Sequence, residues 1–221
     1  MSLLVQVAGI IDLAEAELVA DAGATHLGFP LRLPDGREDL SENEAAEIGR
    51  RVAGRATPVL ITYLDRANEI AAFCDEVGFT TVQLHGPIPA EELGQLREMR
   101  PDLVLWKALV VGVGSTADLL AQVRRCTPWV DAFITDTYDP ATGRRGATGR
   151  VHDWTVSARL VAASPHPVVL AGGLTPDNVA DAVRAVRPAG VDAHSGLEAR
   201  DGRKSRDLVE AFVRNARGAT R

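Results

Sequence analysis

Val168-Val-Leu-Ala-Gly-Gly-Leu-Thr-Pro-Asp-Asn-Val179 runs from an unbroken apolar segment through a glycine pair into a helix start. No polar residue interrupts Val168–Ala171, the pattern of a strand covered on both faces. Gly172 and Gly173 lack Cβ atoms, so their N–H groups can approach a ligand closely. Thr175 suits a helix cap and Pro176 the first helical position, where a missing N–H costs nothing. A glycine turn between strand and helix gathers unpaired N–H groups and favours an anion, most often phosphate. By itself such a pair reads equally well as a tight turn.

A second stretch of the same kind follows one unit later. Gly190-Val-Asp-Ala-His-Ser-Gly-Leu-Glu198 again passes from a short strand into a turn with a serine and a glycine. In (β/α)8 barrels the loops after strands seven and eight commonly form one phosphate site. The count of preceding units therefore matters. Strand-like runs fall at Leu3–Ala8, Thr25–Phe29, Pro58–Leu64, Thr80–Leu84, Leu103–Leu109, Val130–Thr135, Pro167–Ala171 and Gly190–Ala193. Helical patterns separate them, such as the stripe Leu13, Ala16, Val19 and the segment after Ser41, with Glu44 placed for a capping box. Eight alternating units without a dividing linker predict one domain over residues 1–221, a closed parallel α/β barrel of (β/α)8 type. The competitor, an open doubly wound sheet, lacks support because the first βα turn, Val7-Ala-Gly-Ile-Ile-Asp12, has no G-x-G-x-x-G.

Length and composition agree. A chain of 221 residues with 46% hydrophobic and 24% charged residues is ordinary globular material of barrel size. The net charge of −6, with Lys and Arg scattered, argues against a nucleic-acid surface. No apolar run reaches membrane-span length, and Leu3–Ala8 reads as a strand and not as an export signal. Cys74 and Cys126 have no metal-type spacing and fit a reducing compartment, so a cytoplasmic location is expected.

On a barrel, chemistry sits at the C-terminal ends of the strands. Ionisable groups gather at those ends while strand interiors read as apolar: His85, Lys107, Asp136 and His194 are the candidates. Asp136 can exchange protons with a substrate or cap the loop behind it. His85 can polarise a ligand or serve as a structural hydrogen-bonder. Lys107 can meet a developing negative charge or form a rim ion pair. The glycine-rich, basic segment 143–149 is placed to act as a lid over an anion or as a solvated loop.

These residues carry a resemblance. Gly28-Phe29, Val82-Gln-Leu-His-Gly86, Trp106-Lys-Ala108, Thr135-Asp-Thr137, Gly146-Ala-Thr-Gly149 with Asp153-Trp154, Leu170-Ala-Gly-Gly-Leu-Thr-Pro-Asp-Asn-Val179, and Val191-Asp192 with Ser195-Gly-Leu-Glu198 occur in order along nearly the whole chain. Together they resemble the phosphoribosylanthranilate isomerases of tryptophan biosynthesis, barrels that perform an Amadori rearrangement of an aldose-type amine to a ketose. The resemblance implies that Asp136 is the general acid opening the ribose ring. It implies that Gly172, Gly173, His194, Ser195 and Gly196 surround the phosphate. It further implies substrate contacts from His85, Lys107 and Arg37, the last in a segment, residues 31–40, that departs from the family pattern. A phosphorylated small molecule is the implied partner, without metal or organic cofactor.

One departure changes the chemistry. The family's first strand ends Lys-Ile-Cys-Gly, its cysteine being the general base; here the strand reads Gln6-Val7-Ala8-Gly9. Alanine cannot take a proton, and neither cysteine falls on a matching position. A missing general base costs about 10²–10⁴-fold in rate, so a substitute is needed, with Asp12, Asp65 and His194 as candidates. Three readings follow: an isomerase with a relocated base, a repurposed barrel doing other chemistry such as acid-assisted C–N cleavage, or a non-catalytic phospho-ligand binder.

Overall fold

The computed structural model describes residues 3–34, 36, 40–139, 144–145 and 153–220. In chain order the elements are β1 (Leu4–Ala8), α1 (Leu13–Asp21), β2 (His26–Pro30), α2 (Glu42–Val52), β3 (Thr57–Thr62), α3 (Ala67–Val77), β4 (Thr81–Leu84), α4 (Ala90–Met99), β5 (Val104–Val111) and α5 (Thr116–Cys126). Then come β6 (Ala132–Asp139), β7 (Arg144–Arg145), α6 (Trp154–Ala163), β8 (Val168–Leu170), α7 (Val179–Val186), β9 (Gly190–Ala193), a 3-10 turn (Ser195–Leu197) and α8 (Arg206–Gly218).

Eight strands pair in parallel in the order β5-β4-β3-β2-β1-β9-β8-β6, and a further β5–β6 pairing closes the ring. The architecture is the expected (β/α)8 barrel. Among the described residues only β7 lies outside it, pairing antiparallel with the end of β6. The β6–β8 ladder is short, Phe133↔Val168 and Ile134↔Val169. Thr135 reinforces it, its Oγ1 accepting from Ala171 N at 3.1 Å.

Local chemistry sets the helix starts. Ser41 and Glu44 form the capping box expected from their spacing, and Ser115 with Asp118 forms a second. Asp12 and Asp153 cap α1 and α6 through their carboxylates. The helix expected from Pro176 starts later, at Val179. Asn178 takes the intervening turn, accepting from Thr175 N at 2.9 Å and donating to Gly173 O at 2.9 Å. Thr175 is thus a turn residue, and that turn braces the glycine pair from behind.

The core is divided into compartments. Most large apolar side chains, including Phe29, Phe73, Phe133 and Phe212, lie fully buried in one extensive cluster. Trp106, Ala108, Ala132, Ile134, Val169 and Ala171 form a second cluster, and Ala8, Val59 and Ile61 a third. The strand interiors are not uniformly apolar, however. Gln6, Gln83 and Asp192 are buried at alternate positions that share the parity of Ala8, His85 and His194. Gln6 Nε2 donates to Gln83 Oε1 at 2.8 Å, tying β1 to β4. That bond satisfies part of the buried amide pair, while Gln6 Oε1 meets no partner among the described residues.

Candidate active site

One cavity opens among the strand C-terminal ends, lined on one side by Pro30, Leu33, Ile61 and Tyr63. Gln83, His85, Asp136, Asp192 and Ala8 line it as well, together with the two glycine turns, Gly172–Leu174 and His194–Gly196. Of the described residues singled out from sequence, Ala8, His85, Asp136, Gly172, Gly173, His194, Ser195 and Gly196 surround this one space, whereas Lys107, Asp12 and Asp65 do not.

His85 and Asp136 form the ionisable centre. His85 Nδ1 stands 3.3 Å from Asp136 Oδ2, and both side chains are nearly excluded from water. Gln83 lies against the other ring nitrogen, 2.5 Å from Nε2, so the imidazole is held from both edges. With Gln83 donating to Nε2, the proton of a neutral ring sits on Nδ1 and is directed at Asp136. Asp136 Oδ1 accepts from Thr137 N at 2.7 Å. One oxygen of Asp136 thus caps the strand end and the other faces His85.

The glycine turns supply donors. Gly172 and Gly173 adopt φ of +100° and +64°, left-handed values that side-chain-bearing residues avoid. A Cβ at Gly196 would stand 2.1 Å from Leu174 O, so the two turns pack directly on each other. The amides of Gly172, Gly173, Ser195 and Gly196 meet no acceptor among the described residues. Four such N–H groups on adjacent turns suit a tetrahedral anion.

His194 stands beside the first strand's end. Its ring covers Gly9, where a Cβ would lie 2.1 Å from Nε2. Nε2 is 3.3 Å from Glu198 Oε1, and Lys204 Nζ is 2.8 Å from the same oxygen. Bonding to His194, reinforced by Lys204, holds the Glu198 carboxyl down to about 2. The edge of His194 carrying Nε2 is thus committed to Glu198.

Other expectations change. Lys107 faces away from the cavity. Its Nζ donates to Leu84 O, Gly86 O and Ala108 O at 2.9–3.3 Å, neither touching a ligand site nor forming a rim ion pair. Burial lowers its ammonium to about 8. Asp12 caps α1 and pairs with Arg203 at 2.5 Å, while Asp65 lies beside Arg66; neither lines the cavity. Cys74 and Cys126 are buried off the cavity, and burial pushes the Cys74 thiol up to about 12. Arg37 and most of segment 143–149 lie outside the described residues. Nearby Arg32 is bonded to Glu42 at 2.7 Å and stacked on Phe73.

Sequence reasoning missed Asp192 as a site residue. Its carboxyl is buried, lines the cavity, and leaves Oδ1 without a partner among the described residues. Burial pushes it up to about 6; the Gln6 amide opposes that rise, Asp136 adds to it, and His194 and His85 oppose it. Strand parity could have found it, since Gln6, Ala8, Asp192 and His194 alternate inward together.

A closed barrel with ionisable groups and donor-rich glycine turns at one mouth has the layout of (β/α)8 barrel enzymes. Among known families, the model described as N-(5'phosphoribosyl)anthranilate (PRA) isomerase matches residues 5–215, and the chain belongs to that family. It is 40% identical over 221 residues to the N-(5'-phosphoribosyl)anthranilate isomerase of Haloferax volcanii, covering 97% of this chain and 95% of the relative. Identity to N-(5'-phosphoribosyl)anthranilate isomerase 2 of Methanosarcina mazei is 38% over 215 residues, 96% and 93% of the two chains. A solved phosphoribosyl anthranilate isomerase in complex with reduced 1-(o-carboxyphenylamino)-1-deoxyribulose 5-phosphate superposes with a TM-score of 0.80 at 26% identity, covering 98% of this chain and 99% of that one.

Proposed function

We propose that this chain isomerises N-(5'-phosphoribosyl)anthranilate, or a closely related N-phosphoribosyl amine, to the 1-amino-1-deoxyketose phosphate. One observation carries the reading: the His85–Asp136 pair and the two donor-bearing glycine turns line a single cavity in a member of this family. The turns hold the phosphate, the side formed by Pro30, Leu33, Ile61 and Tyr63 receives the aromatic amine, and the ribose spans the space between. Asp136 delivers a proton to the ring oxygen. The C1′–O4′ bond then breaks as the amine nitrogen donates its pair, leaving an open-chain iminium. His85 orients that carboxyl and stabilises it once it is anionic.

A second reading has its own support. Ala8 leaves the family's base position with a methyl group, and a reaction that uses the acid alone, such as C–N cleavage, needs no thiol. Incubating purified protein with phosphoribosylanthranilate and identifying the products by chromatography and mass separates the two. Deoxyribulose phosphate product supports isomerisation; release of free anthranilate above the no-enzyme rate replaces it with cleavage.

A further inference from the structure

On the isomerase reading above, a base must reach the C2′ proton, and Ala8 supplies none. Both thiols are buried away from the cavity, and Asp12 and Asp65 do not line it. His85 is held between Gln83 and Asp136; His194 directs Nε2 to Glu198, which leaves its Nδ1 as the competing base, the one that a small loss in Asp192→Asn would favour. Asp192 is the remaining cavity-lining carboxyl, with a buried Oδ1 that no described residue engages. A buried acceptor left open is costly unless a ligand uses it.

We infer that Asp192 is the general base of this chain. The register Gln6↔Asp192 and Val7↔Ala193 sets Asp192 on the strand beside Ala8, one inward layer deeper. Ala8 ends at Cβ, so its side chain intrudes little between that carboxyl and a bound ribose. Gln6, directly across the register, is neutral and brings no charge to quench the carboxylate. A carboxyl near 6 is ionised at neutral pH yet more basic than an ordinary aspartate, as proton abstraction requires.

The step balances within the site. The C2′–H bond breaks, its pair forms the C1′=C2′ double bond, and the iminium π pair returns to nitrogen as Asp192 takes the proton. Asp192 then returns that proton to C1′, and the 2′-hydroxyl proton passes to the Asp136 carboxylate as the ketone forms. Both carboxyls end as they began, with no outside acid or oxidant.

The test compares wild type, Asp192→Asn, Ala8→Cys and the double variant with phosphoribosylanthranilate. Expected are turnover by the wild type and an Asp192→Asn enzyme slower by about 10²-fold or more in kcat, with KM within a few-fold. Turnover should recover in the double variant, where the new thiol serves as base. A loss under tenfold overturns the assignment. So does a loss that Ala8→Cys fails to restore although the double variant still binds the deoxyribulose product. An inactive wild type beside an active Ala8→Cys also overturns it, while leaving the isomerase frame standing. No turnover in any of the four removes the isomerase reading, and the base with it.

Discussion

Gln6 and Asp192 are register partners across the β1–β9 junction, a neutral amide facing a buried carboxyl where the family's strand carries lysine. A cation there would favour the ionised carboxyl and lower its pKa. Gln6→Lys should therefore move the acid limb of kcat/KM from near pH 6 to at least one unit lower. The charged groups around Asp192, Asp136 and His85 from other strands and His194 two residues on along its own, are unchanged by the variant. A pH–rate profile whose acid limb stays in place would remove Asp192 from control of that limb.

Asp136→Asn keeps the shape of the strand end but has no acidic proton to give. Turnover should drop about 10²–10⁴-fold. Because the glycine turns proposed to hold the phosphate are untouched, binding of the deoxyribulose product by calorimetry should stay within a few-fold. Retained turnover would exclude Asp136 as the acid.

Asp192 has a stability signature distinct from its chemistry. Its folded pKa, near 6, exceeds the ordinary 3.8, so the native state holds the proton more tightly than the unfolded chain does. Stability therefore falls as pH rises from about 4 to about 6 and stays lowered above that, by roughly 3 kcal/mol for a shift of this size. Asp192→Asn should raise Tm at pH 8 and leave it nearly unchanged at pH 4, as thermal melts at the two values would show.

Gly196→Ala places a methyl carbon against Leu174 O, at 2.1 Å without relaxation. Both glycine turns must then separate. KM should rise tenfold or more while the His85–Asp136 pair is undisturbed, and inhibition by inorganic phosphate should weaken in parallel. Equal KM would show that the phosphate lies elsewhere.

The barrel was legible because eight apolar runs alternate with capped amphipathic segments, and each run is short enough to be a strand. The rim was legible for the same reason: polar residues cluster where the runs stop, as at His85, Asp136 and Ser195. What sequence did not show is which face of a strand a residue takes when both faces are buried. Lys107 and Asp136 both looked like rim groups, yet Lys107 sits between inward-facing Trp106 and Ala108 and so points away from the cavity. Asp192 was hidden for the converse reason. Parity with His194, two residues on, could mark it as inward, but its place beside Gln6 and Ala8 follows from the β1–β9 register, a pairing between strands remote in sequence.

That pairing joins the first and last parallel strands of the ring. Before they meet, β1 has an open edge and Asp192 lies in water with the acidity of any aspartate. Desolvation, the main cause of its raised pKa, arises only when the ring shuts around it. If Asp192 is the base inferred above, its basicity is thus a property of the closed ring and not of the strand that carries it.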